Sequence, residues 1–257
     1  MPLTATPRME GEEPFELDKE DREHAVIKRR LEAKKTIELH RIDDEKKTAE
    51  EVAALAVKRA EASPGAAILV FVRKVEDVKK AVDAIGKAKG IDRDTQIEQL
   101  TGTLRGLERD ALVQKPVFQR FLPESNRDKG ITLPEETVFL VCTSAGEVGV
   151  DISADHLVCD LTTFDSMAQR FGRVNRYGAP PNNATIDVVH PKLDDFKKDD
   201  PYDDRRKRTL SLLKELDGNG SPKALGKLPM EDRIAAFSPD PKFLDATDIL
   251  FDAWALT

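Results

Sequence analysis

Short apolar runs of strand length recur along this chain, and they constrain its fold more than any other feature. Such runs are typical of strands that are covered on both faces of a sheet. Segments with helical spacing of apolar residues separate them. Strands that alternate with helices predict parallel βαβ units, and therefore an α/β fold with a parallel sheet flanked by helices. The main runs are AAILVFV at 66–72, TVFLVCT at 137–143, HLVCDL at 156–161 and ATIDVVH at 184–190, with shorter candidates IEQL at 97–100 and TIELHRI at 36–42.

The character of the sequence changes along its 257 residues, which are enough to bury a sizeable core. Residues 1–43 are charged and end in the possible strand at 36–42. Residues 44–191 hold the main strand and helix patterns. Residues 192–257 begin with a charge run and continue as short helical patterns broken by glycine and proline. We therefore predict a linker region, an α/β domain and a helical C-terminal extension.

The composition limits the classes of function. With a net charge of −7, the chain cannot hold nucleic acid by bulk charge, so any such contact must be local. Cys142 and Cys159 lie inside apolar runs, which predicts buried reduced thiols rather than a disulfide or a zinc site. No signal peptide opens the chain and no apolar run has membrane-spanning length, so we expect a soluble cytoplasmic protein with no membrane partner.

Residues 167–178, MAQRFGRVNRYG, gather three arginines in an acidic chain. On a continuous helix, Gln169, Arg173 and Arg176 share one face, and apolar residues occupy the other. Guanidinium groups stay charged and offer a planar set of donors that suits phosphate oxygens. The alternative is a solvated amphipathic helix whose arginines pair with nearby carboxylates.

Residues 141–152, VCTSAGEVGVDI, run from a predicted strand into a loop with two glycines. Ligands of open α/β sheets bind at the carboxyl ends of strands. There, Gly149 offers backbone amides to phosphate, Thr143 and Ser144 offer hydroxyls, and Asp151 offers a carboxylate to a ribose. The alternative is an ordinary βα turn in which Asp151 caps the next element.

These stretches together resemble superfamily 2 helicases. TSAGEVGVDI resembles motif V, QRFGRVNR resembles motif VI, and ILVFVRKVEDV resembles motif IV. LTGTLRGLERD resembles the strand-to-helix nucleic-acid contact that follows motif IV, and LTATP near the start resembles motif III. Glu147, SMAQRFGRVNR and the pattern LTGT-RG-ERD further resemble the CRISPR-associated helicase–nuclease of type I systems, particularly its subtype I-G (I-U) variant.

The resemblance implies a RecA-like fold and ATP hydrolysis between two RecA-like lobes. It implies that residues 1–43 are the end of the first lobe, with motif III, and the inter-lobe linker, and that residues 44–191 are the second lobe. It assigns Arg173 and Arg176 as arginine fingers and Gln169 as a residue that positions the nucleotide or water. It assigns ATP binding also to Gly149 and Asp151. It further assigns nucleic-acid contacts to Thr101, Gly102, Thr103, Arg105, Arg109, Thr143 and Ser144, and coupling to Thr4, Ala5 and Thr6.

The chain departs from the family in ways that limit its expected activity. It contains no GxxxxGK[ST] loop, no DExH or DExD quartet and no His-Asp dipeptide for a nuclease metal site, and none of its four histidines has metal-ligand spacing. ATP and Mg²⁺ would then be held mainly by a first lobe outside this chain, so we expect no ATPase or nuclease activity from the chain alone.

The partners implied are that first lobe, single-stranded DNA, a crRNA-guided surveillance complex and a nuclease domain in cis or in trans. Two alternatives stay open. One is a non-catalytic module that binds nucleic acid or a partner protein. The other is the equivalent lobe of an RNA helicase or a restriction-type translocase.

Overall fold

The computed structural model describes residues 18–147, 151–179 and 182–238. The predicted coupling residues Thr4, Ala5 and Thr6, the predicted ATP-binding Gly149, and residues 239–257 of the predicted helical extension lie outside these ranges.

A parallel sheet of six strands forms the centre of the described residues. Its spatial order is β1-β6-β5-β2-β4-β3, and every neighbouring pair is parallel. Each strand falls on a run that the sequence predicts, so the α/β class is confirmed. The strands are β1 (Lys35–Arg41), β2 (Ala67–Phe71), β3 (Ile97–Leu100), β4 (Val138–Cys142), β5 (His156–Asp160) and β6 (Ala184–His190).

Helices connect the strands and cover both faces of the sheet. In the part of the chain that the structure describes, none of them is long and apolar enough to cross a membrane. The α-helices are α1 (Lys19–Glu23), α2 (Ala25–Leu31), α3 (Thr48–Ala62), α4 (Val75–Ile85), α5 (Arg93–Gln96), α6 (Gly106–Val113), α7 (Pro116–Phe121), α8 (Phe164–Phe171), α9 (Pro201–Glu215), α10 (Pro222–Leu225) and α11 (Met230–Ala235).

Strand β2 shows why the runs are continuously apolar. Its alternate residues Ile68 and Val70 pack into a cluster with α3 and α4 on one face. Leu69 and Phe71 pack into a second cluster with α7, α8 and α9 on the other face. Every residue of β2 is buried, because a strand between two helical layers has no solvent-facing side.

Strand β1 belongs to the sheet although the sequence suggests a linker up to residue 43. It pairs in parallel with β6 over its whole length, from Lys35 opposite Ala184 to Arg41 opposite His190. The segment 35–41 is therefore structurally part of the sheet. The division of the chain at residues 43 and 191 stays a prediction.

The C-terminal extension begins with a helix that starts earlier than its sequence suggests. The charge run before residue 209 predicts solvated coil, but α9 begins at Pro201. The side chain of Asp200 caps it by accepting from the amides of Tyr202 and Asp203, and proline is well suited to the first helical position. Leu210 and Leu213 of α9 are buried in the core, so this helix packs on the sheet domain.

Candidate functional site

The arginine-rich stretch is not one helix. Helix α8 ends at Phe171, and residues 172–178, here called the arginine turn, follow it. Gly172 is the C-cap residue, and Asn175 adopts a left-handed φ of 41°, which breaks helical geometry. The prediction that Gln169, Arg173 and Arg176 share one helical face is therefore wrong, since only Gln169 lies on the helix.

Arg170, the first of the three arginines, is fully internal. Its Nε donates to Oε1 of Glu147 and one terminal nitrogen donates to Oδ1 of Asp160, both at 2.8 Å. The guanidinium also lies 5.0 Å from the ring centroid of Phe71. Burial opposes its charge, but Asp160 and Glu147 outweigh burial and raise the pKa of Arg170. Arg170 thus has its counterions inside the domain and is not available to a ligand.

Arg173, the second arginine, is half-buried and faces a neutral acceptor. Its Nε and one terminal nitrogen donate to the backbone carbonyl of Glu147, at 3.2 and 2.6 Å. Burial first, and then neighbouring Arg176, lower the pKa of Arg173. Glu147 therefore supports two arginines at once, Arg170 with its carboxylate and Arg173 with its carbonyl oxygen. This guanidinium has no internal carboxylate to neutralise it in the described residues.

Arg176 lies at the surface in a loose ion pair. One of its terminal nitrogens is 3.2 Å from Oδ1 of Asp151, and the side chains are 38% and 48% exposed. The hydroxyl of Tyr177 donates to the same oxygen at 3.1 Å. Pairs this exposed contribute about 0–1 kcal/mol to stability. Arg176 can therefore leave Asp151 for a better anion at small cost.

The seven predicted nucleic-acid residues, here called the strand-end group, lie at or just after the carboxyl ends of two adjacent strands. Thr101 follows β3 and Thr143 follows β4, and the amide of Thr143 donates to the carbonyl of Leu100 at 3.1 Å. Both threonines are buried, and Thr101 shares a 2.8 Å hydrogen bond with Thr103. The residues of this group that face solvent are Gly102, Thr103, Ser144 and, on or just before α6, Arg105 and Arg109.

Asp151 lies with the arginine turn rather than with Thr143 and Ser144. The turn is held against the residues that lead into β5, because the amide of Ala154 donates to the carbonyl of Arg173 at 2.8 Å. The amide of Asn175 in turn donates to the carbonyl of Ala154 at 2.9 Å. The predicted residues thus form two groups: the strand-end group at the carboxyl edge of the sheet, and an arginine group, made of Asp151, Arg173, Arg176 and Tyr177, at its amino edge.

Lys35 also lies beside the arginine group, and the sequence pattern does not predict this position. The ammonium group of Lys35, at the start of β1, donates to the carbonyl of Phe171 at 2.7 Å and is buried. Nothing in the local pattern KKTIELH distinguishes Lys35 from its exposed neighbour Lys34. Only the pairing of β1 with β6 brings it to the end of α8.

A second set of titratable residues lies on β1 and β6. Ligand atoms of Glu38, His40 and Asp187 lie within 4.8 Å of one another. However, Arg59 donates to both carboxylate oxygens of Asp187, at 3.0 and 2.9 Å, and His40 contacts one of them at 2.8 Å. The arginine already neutralises this carboxylate, so the arrangement is a partly exposed ion-pair network around the buried Asp187.

The two cysteines are buried and unpaired, as predicted. Cys142 ends β4 and Cys159 lies in β5. Burial raises the pKa of Cys142 well above its ordinary value and that of Cys159 to about 12. Both side chains are therefore neutral thiols at physiological pH, with neither nucleophilic nor metal-binding character.

Residues 64–179, from the turn before β2 to the end of the arginine turn, match the family model described as CRISPR-associated nuclease/helicase Cas3, C-terminal. This segment, slightly less than half of the chain, is thus similar to the C-terminal region of nuclease/helicase Cas3. It contains all residues of both the strand-end group and the arginine group, whereas Lys35 of β1 lies outside it.

Solved structures similar to this chain agree on the fold. The structure of T. fusca Cas3 with ADP has a TM-score of 0.59 at 14% identity, over 87% of this chain and 26% of that chain. T. fusca Cas3 with ATP has a TM-score of 0.56 at 16% identity, over 85% of this chain and 26% of that chain. The chain thus spans about a quarter of the length of these proteins. No curated protein sequence matches it.

Proposed function

We propose that this chain acts as the second RecA-like lobe of an ATP-dependent helicase that translocates on single-stranded DNA in a type I CRISPR interference system. The observation that carries the proposal is the state of Arg173 and Arg176 within a Cas3-like lobe. One guanidinium faces a backbone carbonyl and the other an exposed carboxylate. Among the described residues, neither is neutralised by a buried acid, in contrast to Arg170.

The ligand that suits this arrangement is the triphosphate of ATP bound to a first lobe. Arg176 would exchange Asp151 for phosphate oxygens, and Arg173 would approach them from the Glu147 carbonyl. Arginine fingers that stabilise the transferred phosphoryl group raise rates by about 10³–10⁵. Gln169, half-exposed on α8, stands one turn before Arg173 and would position the nucleotide or the attacking water. Mg²⁺, held mainly by the first lobe, would neutralise phosphate charge.

The strand-end group would hold the DNA backbone. Thr103 and Ser144 offer exposed hydroxyls, Gly102 offers an exposed amide, and Arg105 and Arg109 add positive charge beside them. Contacts of this kind bind phosphates without reading sequence and weaken with salt. The local charge makes such binding compatible with a net charge of −7.

Two further observations support the proposal. T. fusca Cas3, which shares the fold, has been solved with ADP, AMPPNP and ATP. This chain is only about a quarter of that length, so its activity is expected only together with a first lobe and a nuclease domain, in cis or in trans. The proposed setting is the cytoplasm, where a crRNA-guided complex would deliver the displaced strand.

A complementation assay tests the proposal. The chain is mixed with a first lobe that carries the phosphate-binding loop and acidic motif of a Cas3 protein, and ATP hydrolysis is measured with and without single-stranded DNA. We expect DNA-stimulated hydrolysis that Arg176→Ala reduces at least about 10³-fold. Arg208→Ala is the matched control, because Arg208 is an exposed arginine of α9 paired with Asp204.

The outcomes separate the alternatives. Binding of single-stranded DNA with no hydrolysis in any mixture would favour a non-catalytic binding module. Hydrolysis stimulated by RNA but not by DNA would favour an RNA helicase lobe, since the 2′-hydroxyl is the local difference between the strands.

A further inference from the structure

Residues 29–35, here called the linker segment, run from α2 into β1 and pack against the arginine turn. One end of the segment contacts Gly178 and the other end contacts Phe171. These two residues bracket the arginine turn. The segment therefore touches the structure on both sides of Arg173 and Arg176.

The first contact requires glycine. Gly178 has a left-handed φ of 59°, and a Cβ atom built on it would lie 2.5 Å from the carbonyl oxygen of Arg29. Any side chain at residue 178 would collide with the backbone of the linker segment. The backbones of Gly178 and Arg29 can therefore approach this closely only because residue 178 has no side chain.

The middle of the linker segment is joined to the turn by polar contacts. The side-chain amide of Asn175 donates to the carbonyl of Lys34 at 3.1 Å and to Oδ1 of Asn182 at 2.7 Å. The same oxygen of Asn182 accepts from the amide of Lys34 at 2.9 Å. The guanidinium of Arg30 lies 5.2 Å from the ring centroid of Tyr177, whose hydroxyl donates to Asp151.

Lys35 makes the second end contact. Its side chain is 4% exposed, and its ammonium group donates to the carbonyl of Phe171, the last residue of α8. Burial, and then the charge of Arg176, lower the pKa of Lys35 to about 8. A buried cation near another cation is unfavourable for stability. In return, the ammonium group provides a charged hydrogen-bond donor to the carbonyl of Phe171, the residue immediately before the arginine turn.

We infer that the linker segment is a brace that holds the arginine turn in place for a ligand on another domain, with Lys35 as its positioning residue. This inference rests on the proposed function for its consequence in catalysis. The mechanical part, that the segment sets the position of Arg173, concerns this chain alone. In the proposed helicase, the segment that arrives from the first-lobe side would thereby align the fingers.

Two substitutions loosen the brace from its two ends. Lys35→Met removes the donor and keeps a side chain of similar length in an apolar setting, so the fold is expected to persist. Gly178→Ala displaces the backbone of Arg29 and leaves Lys35 intact. Lys80→Met is the matched control, because Lys80 is paired with Asp77 on the distant helix α4.

The readout is hydrogen exchange of the Arg173 Nε–H, followed by ¹⁵N NMR of the full chain. In the wild-type chain this hydrogen is protected by the carbonyl of Glu147. We expect exchange about tenfold faster in Lys35→Met and in Gly178→Ala, which corresponds to the loss of about one hydrogen bond, and no change in Lys80→Met. Unchanged protection in folded Lys35→Met would overturn the inference.

The complementation assay adds a second readout. Misplaced fingers should lower kcat for ATP hydrolysis by about tenfold or more and leave KM for ATP within about twofold, because they act on the transition state. If the wild-type mixture shows no hydrolysis, the proposed function fails, while the NMR experiment still decides whether Lys35 positions Arg173. The two failures are therefore distinguishable.

Discussion

Arg170 and Glu147 form a buried ion pair that joins the segment resembling motif VI to the segment resembling motif V, with Nε and Oε1 2.8 Å apart and both residues almost without solvent exposure. Because the carbonyl of Glu147 also accepts from Arg173, this pair fixes both the core of the lobe and the orientation of a candidate finger. Glu147, in the middle of the stretch predicted to bind nucleotide, thus has a structural role in the fold.

Removal of Glu147 should destabilise the fold strongly. In Glu147→Ala, Asp160 is the one counterion that Arg170 keeps among the described residues, and breaking one side of a buried pair costs about 3–5 kcal/mol. Urea unfolding measures this free energy. Glu76→Ala is the control, since Glu76 is 70% exposed and should change stability by less than about 0.5 kcal/mol. A loss below about 1 kcal/mol in Glu147→Ala would contradict the role of the pair.

The two thiols should be inert in the folded chain. Burial raises the pKa of Cys159 to about 12 and raises that of Cys142 further, and both side chains are inaccessible. With Ellman's reagent at pH 8, we expect no reaction of the native protein and reaction of both thiols in guanidinium chloride. Rapid reaction of either thiol at unchanged circular dichroism would show that the strand ends open in solution.

The stability should respond to pH through Lys35. Its pKa in the folded chain, about 8, lies below the unfolded value of 10.5, so the unfolded state binds more protons between these limits. The contribution of Lys35 to the free energy of unfolding therefore rises with pH across this window, by up to roughly 3 kcal/mol.

The difference between Lys35→Met and wild type isolates this effect, since all other groups are shared. We expect the stability of Lys35→Met relative to wild type to fall as the pH is raised from 7 to 10, as measured by urea unfolding. A difference that is flat with pH would mean that the ammonium group is not desolvated as described.

Binding of single-stranded DNA should depend on the exposed arginines of the strand-end group. In Arg105→Ala/Arg109→Ala, we expect weaker binding across all sequences and a salt dependence shallower by about 1.4 in log–log slope, because each single-strand phosphate contact contributes about 0.7. Fluorescence anisotropy at several salt concentrations measures both. Lys87→Ala/Lys89→Ala, which removes two exposed cations after α4, should leave the slope unchanged.

The sheet was predictable because a strand between two helical layers is buried throughout and therefore mainly apolar, and β2, β4, β5 and β6 are all fully buried. The end of α8 was not predictable from the sequence. Gly172 and Asn175 tolerate both helical and turn conformations, and tertiary contacts with Ala154 decide between them.

The different roles of the three arginines could not be predicted from the sequence either. Arg170, Arg173 and Arg176 look alike in sequence, but they face a buried acid, a carbonyl and an exposed acid, respectively. Two of these partners, Glu147 and Asp151, come from a loop separated from them by a whole strand. Periodicity within one segment carries no information about such long-range contacts, and the same holds for Lys35.

The pairing of β1 with β6 determines how the lobe can be isolated. A shortened protein that starts at residue 44 would lose β1 and leave the edge of β6 without hydrogen-bonding partners, although every residue of β6 is buried in the intact lobe. An uncovered apolar edge strand pairs readily with its counterpart in a neighbouring molecule. Such a protein should associate at random through that edge, so cloning boundaries for the lobe belong upstream of Arg29.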